Sequence, residues 1–113
     1  MSDLSFAILI PTHNEAADIQ RTLDAAVAVQ YTQKEILVID DASTDNTAGI
    51  VSNYADRGVR LIRMAANRGV AAARNVGLRA SEADIVIILN ADVLLPPDFI
   101  ERLAPHYKAG ADF

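Results

Sequence analysis

The carboxylates and amides of this chain cluster where apolar runs stop. In "ILVIDDASTDNT" (36–47), four apolar residues lead directly into Asp40 and Asp41, and Asp45 follows. Adjacent acids at the mouth of a buried run repel each other and resist desolvation, so each needs a partner. One of them can cap the next helix or accept backbone N–H groups. Ser43, Thr44 and Asp45 already offer capping groups, so a second structural acid is the weaker reading. A carboxylate at a strand tip can instead accept from a nucleobase imino N–H or a ribose hydroxyl. In "NAD" (90–92), Asn90 and Asp92 can turn both oxygens to one side. A hard divalent cation is commonly held by one carboxylate plus substrate phosphates. Such a cation would let an acidic protein bind a polyanion. The plainer reading of Asp92 is a cap for the helix that follows.

Two further stretches carry chemistry less specifically. In "PTHNE" (11–15), Asn14 is a good helix cap and His13 a loop residue; the functional reading has this loop line a nucleotide pocket. In "NRGVAAARNVG" (67–77), small residues permit close backbone approach to a sheet. Arg74 either lies on a solvated face or, with Asn67, turns toward a ligand, where Arg offsets phosphate charge. His106 carries no signal.

These groups need a scaffold, and the elements that would hold them are legible. "FAILI" (6–10), "EILVI" (35–39) and "DIVIIL" (84–89) are continuous apolar runs, which suit strands covered on both faces. "VRLIRM" (59–64) alternates and belongs nearer an edge. Helical spacing predicts a helix from Asn14 to about Gln30, with Asn14 as its cap. A second runs from Thr47 to Asp56 and stops at Gly58. A third covers 69–80. A last one opens at Pro96-Pro97, with Pro97 in its first turn, and Pro105 ends or kinks it near Tyr107. Strand–helix alternation with short connections implies an α/β, Rossmann-like, mainly parallel sheet with flanking helices. Ligands of such sheets bind beyond the carboxyl ends of the strands. "PTHNE", "DDASTD" and "NAD" each follow a strand directly, so all three gather at that edge.

Bulk properties narrow the function. The 113 residues make one domain or part of one. A net charge of −5 leaves no cation excess to neutralise the phosphates of DNA or RNA. The absence of cysteine fits a reducing compartment, and the expected location is cytoplasmic. "MSDLSFAILIP" has neither the basic flank nor the long apolar run of a signal peptide, and no run approaches the length of a membrane helix.

In order and spacing, "IPTHNE", "IDDASTDNT", "NRGVAAARNVG" and the D-x-D-type "NAD" resemble the family 2 glycosyltransferases, whose domain has the GT-A fold. The four together span nearly the whole chain. The resemblance implies a nucleotide-diphosphate-sugar donor, often a UDP-sugar, and inverting transfer to an acceptor that the sequence does not name. It implies that Pro11, His13 and Glu15 lie around the base and ribose, and that Asp41 accepts from the base imino group. Asn67 and Arg74 would lie near the base or ribose side. Asn90 would contact ribose or metal, and Asp92 would hold Mn2+ or Mg2+. Asp40 reads as structural and Asp45 as a cap for the next helix. Asn90 replaces the first acid of the D-x-D-type element and removes one negative charge. The family's general base belongs to an acceptor half expected beyond Phe113. Residues 1–113 are therefore read as the nucleotide-binding half of a longer enzyme, binding donor without turnover. An uncovered sheet edge would then favour a homodimer or strand exchange.

Other classes fit less well. In a phospho-acceptor receiver domain the acidic pair would lie on the first strand and a Lys would follow a late strand; here the only lysines are Lys34 and Lys108. A sugar-phosphate nucleotidyltransferase is the closer rival in fold, also uses acidic metal ligands and ranks second; it would want a Gly-rich loop after the first strand, where "PTHNE" has no Gly. A dinucleotide-dependent oxidoreductase would want G-x-G-x-x-G, which is missing. A non-catalytic nucleotide-binding domain with a degenerate site stays open as an alternative.

Overall fold

The computed structural model describes residues 4–108. Strands β1 (Phe6–Thr12), β2 (Lys34–Asp40), β3 (Val59–Arg63) and β4 (Ile85–Ile88) form one parallel sheet in the order β3-β2-β1-β4. Ile8 of β1 lies between Ile36 of β2 and Ile87 of β4. Helices α1 (Ile19–Ala28), α2 (Thr47–Ser52), α3 (Val70–Ala80) and α4 (Phe99–Lys108) connect or follow the strands. A 3-10 turn (Ala55–Arg57) extends α2 and stops at Gly58, whose φ of 82° suits glycine. This is the Rossmann-like α/β architecture that the alternation of runs implies.

Successive strand residues point to opposite faces, so the two central strands feed two cores. Phe6, Ile8, Ile10, Ile36 and Val38 pack with Ile19 and Leu23 of α1, Val51 of α2 and Ile100 of α4. Leu9, Leu37 and Ile39 turn the other way, onto Ala73 of α3. Burying each large aliphatic side chain is worth about 1.5–3 kcal/mol. The first core has many such residues; the second has few, and α3 contributes only Ala73 and Gly77 fully buried. α3 lies very close to the sheet there. A Cβ on Gly77 would stand 2.4 Å from Leu9 Cδ1 and 2.8 Å from its Cγ.

Several boundaries differ from the sequence reading, each for a physical reason. α1 begins at Ile19, not Asn14, because Asn14 adopts a left-handed φ of 52° and spends its side chain on another loop. Its far end is closed by Lys34, whose Nζ donates to the carbonyls of Ala26, Val27 and Val29 at 3.1, 3.0 and 2.6 Å. A cation there satisfies orphan carbonyls and complements the helix dipole. α4 begins at Phe99, so Pro97 precedes it; the Pro97 carbonyl accepts from Gln30 N at 2.7 Å instead. α4 also continues past Pro105 to Lys108, so proline does not end it; proline's missing N–H costs one bond of the ladder.

β4 is an edge strand, not one covered on both faces. α3 packs over β1 and β2, and no described strand pairs with the outer side of β4. Ile88 is accordingly 43% exposed. No helix among the described residues is long and apolar enough to cross a membrane.

Candidate functional site

The chain leaves β1 toward β2 on one side and later crosses back to β4 on the other. The carboxyl ends of β1 and β4 therefore flank the switch point of the sheet, where open α/β sheets bind ligands. A cavity of about 340 Å³ lies there. Pro11, Thr12, His13 and Glu15 line it from the β1–α1 loop, and Asp41 from the tip of β2. Val70 and Ala73 line it from the first turns of α3, and Asn90, Ala91 and Asp92 from the β4–α4 loop.

The acids at the end of β2 have separate tasks. Asp40 is fully buried and accepts from Ser43 N at 3.1 Å, from the Ser43 hydroxyl and from Thr12 Oγ1 at 3.4 Å. Arg63 Nε lies 3.5 Å from its Oδ2. Asp40 thus ties its own loop, as a structural acid would. Asp41 reaches the other way: its two oxygens accept from Arg68 N at 2.8 Å and Gly69 N at 2.9 Å. Asp45 accepts from Thr47 N at 2.9 Å at the start of α2, and from Ala16 N at 3.2 Å across the site. Those bonds, led by the one from the Thr47 hydroxyl, hold its carboxyl below the usual range.

The β1–α1 loop is bound to this scaffold almost residue by residue. Asn14 N donates to Ser43 Oγ and Glu15 N to Thr47 Oγ1, each at 2.9 Å. Asn14 Oδ1 accepts from Thr44 N at 2.8 Å and Asp45 N at 3.2 Å. On the opposite wall, Thr22 of α1 donates to the Ala91 carbonyl at 2.5 Å and so fixes the "NAD" turn. Among the described residues no buried side-chain nitrogen or oxygen lacks a partner.

Six of the residues picked from the sequence meet at this cavity: Pro11, His13, Glu15, Asp41, Asn90 and Asp92. Asn67 is exposed just outside the lining and donates to His13 Nε2 at 3.1 Å. Arg74 is exposed on α3, away from the lining. The backbone amides of Arg68 and Gly69, and the Thr22 hydroxyl, were invisible to motif reading. Gly69 before a small-residue helix was the one available signal for the amides. Thr22 in an amphipathic stretch gave none.

The electrostatics of the cavity are one-sided. Glu15, Asp41 and Asp92 supply three carboxylates, and no Lys or Arg is in the lining. Burial pushes the Glu15 carboxyl above its usual range, and the charges of Asp92, Asp18 and Asp45 push it further. The carboxylates of Glu15 and Asp92 accept no hydrogen bond from a described residue. No group of three or more acids and histidines that could hold a metal by themselves occurs among the described residues. One or two carboxylates still suffice where substrate phosphates complete the shell, so the donor set fits a hard cation shared with a phosphorylated ligand.

An open parallel sheet with an acidic cavity at its switch point is shared by several classes of α/β protein, and its neighbours make the class specific. Residues 7–113 match the model of Glycosyl transferase family 2, and the chain belongs to that family. It is 32% identical over 110 residues to poly-beta-1,6-N-acetyl-D-glucosamine synthase of Staphylococcus epidermidis, covering 93% of this chain and 27% of the relative. It is 34% identical over 101 residues to succinoglycan biosynthesis protein ExoO of Rhizobium meliloti, covering 89% and 28%. The chain thus spans only about a quarter of these relatives. Among solved structures, S. aureus TarS 1-349 in complex with UDP-GlcNAc superposes with a TM-score of 0.87 at 24% identity, over 94% of this chain and 32% of that one; this likeness is one of fold. Mannosyltransferase PcManGT from Pyrobaculum calidifontis, in complex with GDP-Man and Mn2+, superposes with a TM-score of 0.84 at 34% identity, over 99% and 34%. The fold is that of the GT-A glycosyltransferases.

Proposed function

We propose that these 113 residues form the donor-binding part of a glycosyltransferase that transfers a sugar, with inversion, from a nucleotide diphosphate to an acceptor hydroxyl. The observation that carries this is the cavity at the β1/β4 switch point, walled by carboxylates without a cation, in a family 2 domain. Pro11, His13, Glu15, Asp41 and Asn90 surround the nucleoside, with Asn67 behind His13. Arg74, exposed on the same helix as Val70 and Ala73, is assigned to the ligand on its motif alone. UDP is the nucleotide chosen; GDP is the rival that the mannosyltransferase neighbour raises.

Asp92 is the residue that would hold Mn2+ or Mg2+, with Asn90 as an uncharged neighbour. Such an ion supplies charge compensation for the diphosphate. The chain's own part is to fix the nucleoside: Thr22 and Asp45 brace the two loops, and the occupied oxygens of Asp41 keep their second lone pairs for the base. The general base that deprotonates the acceptor is assigned outside these residues. The 113 residues alone are accordingly proposed to bind donor without turnover, and to self-associate through the edge of β4 that no described strand pairs.

Calorimetric titration with UDP and GDP, with and without Mn2+, tests the reading. UDP should bind saturably and at least tenfold more tightly with Mn2+. Asp92→Asn should abolish the metal effect, and Asp41→Ala should abolish binding. A folded protein that binds neither nucleotide, with or without metal, would overturn it, and sugar transfer by these residues alone would overturn the claim that they lack turnover.

A further inference from the structure

Three loops meet at His13, and both nitrogens of its ring are assigned by groups with no freedom to change role. Nδ1 lies 2.7 Å from the Asp41 carbonyl oxygen. A carbonyl only accepts, so Nδ1 carries the proton. Nε2 lies 3.3 Å from Asn14 Nδ2. That amide cannot turn over, because its Oδ1 accepts from the Thr44 and Asp45 backbone. Its NH2 group therefore faces Nε2, and Nε2 must accept. The imidazole is the neutral Nδ1–H tautomer. Asn67 of the β3–α3 loop, at the shorter distance of 3.1 Å, donates to the same nitrogen and shares its one lone pair with Asn14. The next two residues of that loop, Arg68 and Gly69, are those whose amides hold the Asp41 carboxylate.

We propose that His13 is a positioning residue: its neutral ring clasps the β3–α3 loop to the tip of β2 and keeps the Arg68 and Gly69 amides seated on Asp41. The importance of that clasp for ligand binding rests on the nucleotide reading above; the clasp itself does not. With both nitrogens engaged, His13 has neither a proton nor a lone pair for a ligand, although it lines the cavity. Beyond whatever contact the ring face makes in the lining, its hydrogen-bonding effect on a nucleotide passes through Asp41. Each Asp41 oxygen has one lone-pair direction fixed by an amide, which sets where the other points. Removing the ring frees the loop and leaves Asp41 without a fixed orientation.

Nitrogen-15 spectra of the histidine side chains at neutral pH test the first half, with His106→Gln separating the two histidines. The expected pattern for His13 is protonated Nδ1 and unprotonated Nε2; the opposite tautomer, or an average of the two, overturns the proposal. A purely space-filling ring would show no such preference. Amide hydrogen exchange tests the second half. His13→Phe keeps a ring, and Asn67→Ala alters only an exposed side chain. Both should speed exchange at Arg68 and Gly69 at least tenfold, with UDP affinity falling about tenfold in His13→Phe. Unchanged exchange in both variants overturns the clasp even if UDP binds normally. Faster exchange in a protein that binds neither UDP nor GDP, with or without Mn2+, supports the clasp and refutes the nucleotide reading.

Discussion

Glu15 shows most directly how single residues trade stability against a charged ligand. Its carboxyl is pushed up by burial and by Asp92, Asp18 and Asp45, so the folded state binds its proton more readily than the unfolded chain. Stability is therefore lost as pH rises from the ordinary value of 4.5 through the raised one, and that penalty persists at neutral pH. Glu15→Gln removes it. The variant should melt above the parent at pH 7, and the gap should close below pH 4.5; melting curves across pH measure this, and an equal gap at all pH values would point to packing instead. The residue is thus less stable charged, as expected of a group kept for a ligand. Asn14 is the opposite case. Its type suggested a helix cap, but its positive φ sends the side chain to the Thr44 and Asp45 amides. Asparagine tolerates that conformation better than most residues, so the same residue type served two readings equally well.

Among the elements, strand positions were legible because continuous Ile- and Val-rich runs mark buried parallel strands. Helix limits were less so, because loop amides here are capped by side chains from other loops, which no local pattern reveals. The cover of β4 was misjudged for a related reason: "DIVIIL" reads as a two-faced strand, and only the placement of α3 over β1 and β2 leaves Ile88 exposed. The candidate site was legible as strand-end motifs, since topology brings any such motifs to one edge. Asn67 and Arg74 shared one motif, yet Asn67 reaches His13 and Arg74 faces solvent, because adjacent turns of loop and helix point differently. Gly77 tests the packing of α3. In an exposed helix Gly→Ala gains about 1 kcal/mol. Here the added Cβ meets Leu9 and Ile39, both fully buried, and overpacking costs about 1–3 kcal/mol. Urea unfolding should show Gly77→Ala net destabilised; a stabilised variant would mean that α3 can lift off the sheet without loss.

For the molecule as a whole, the unevenness of its surface matters. Val70, Leu78, Ile88, Val93 and Leu94 are large apolar residues, each at least 39% exposed, on α3, on β4 or in the loop after it. An edge strand that no described strand pairs, beside such residues, is a template for further pairing. Sedimentation should show concentration-dependent self-association, weakened by Ile88→Lys, which places a charge on that edge. A monomer at all concentrations would refute the proposed pairing.

The thinness of the core beneath α3 has a last consequence, for how the fold comes apart. With only Ala73 and Gly77 buried and Val76 and Ala80 partly so, this helix has less apolar surface to lose on detaching than α1 and its neighbours, which share the large core on the other face. Regions with few buried apolar contacts open at a fraction of the global unfolding free energy. α3 should therefore be the first cooperative unit to leave, and limited proteolysis should cut within 70–80 before it cuts α1. Because α3 starts directly after Gly69, each such opening would release an amide from Asp41. Integrity of the cavity would then be set by a weakly held unit of the domain, and a ligand seated against Val70 and Ala73 would protect the whole helix.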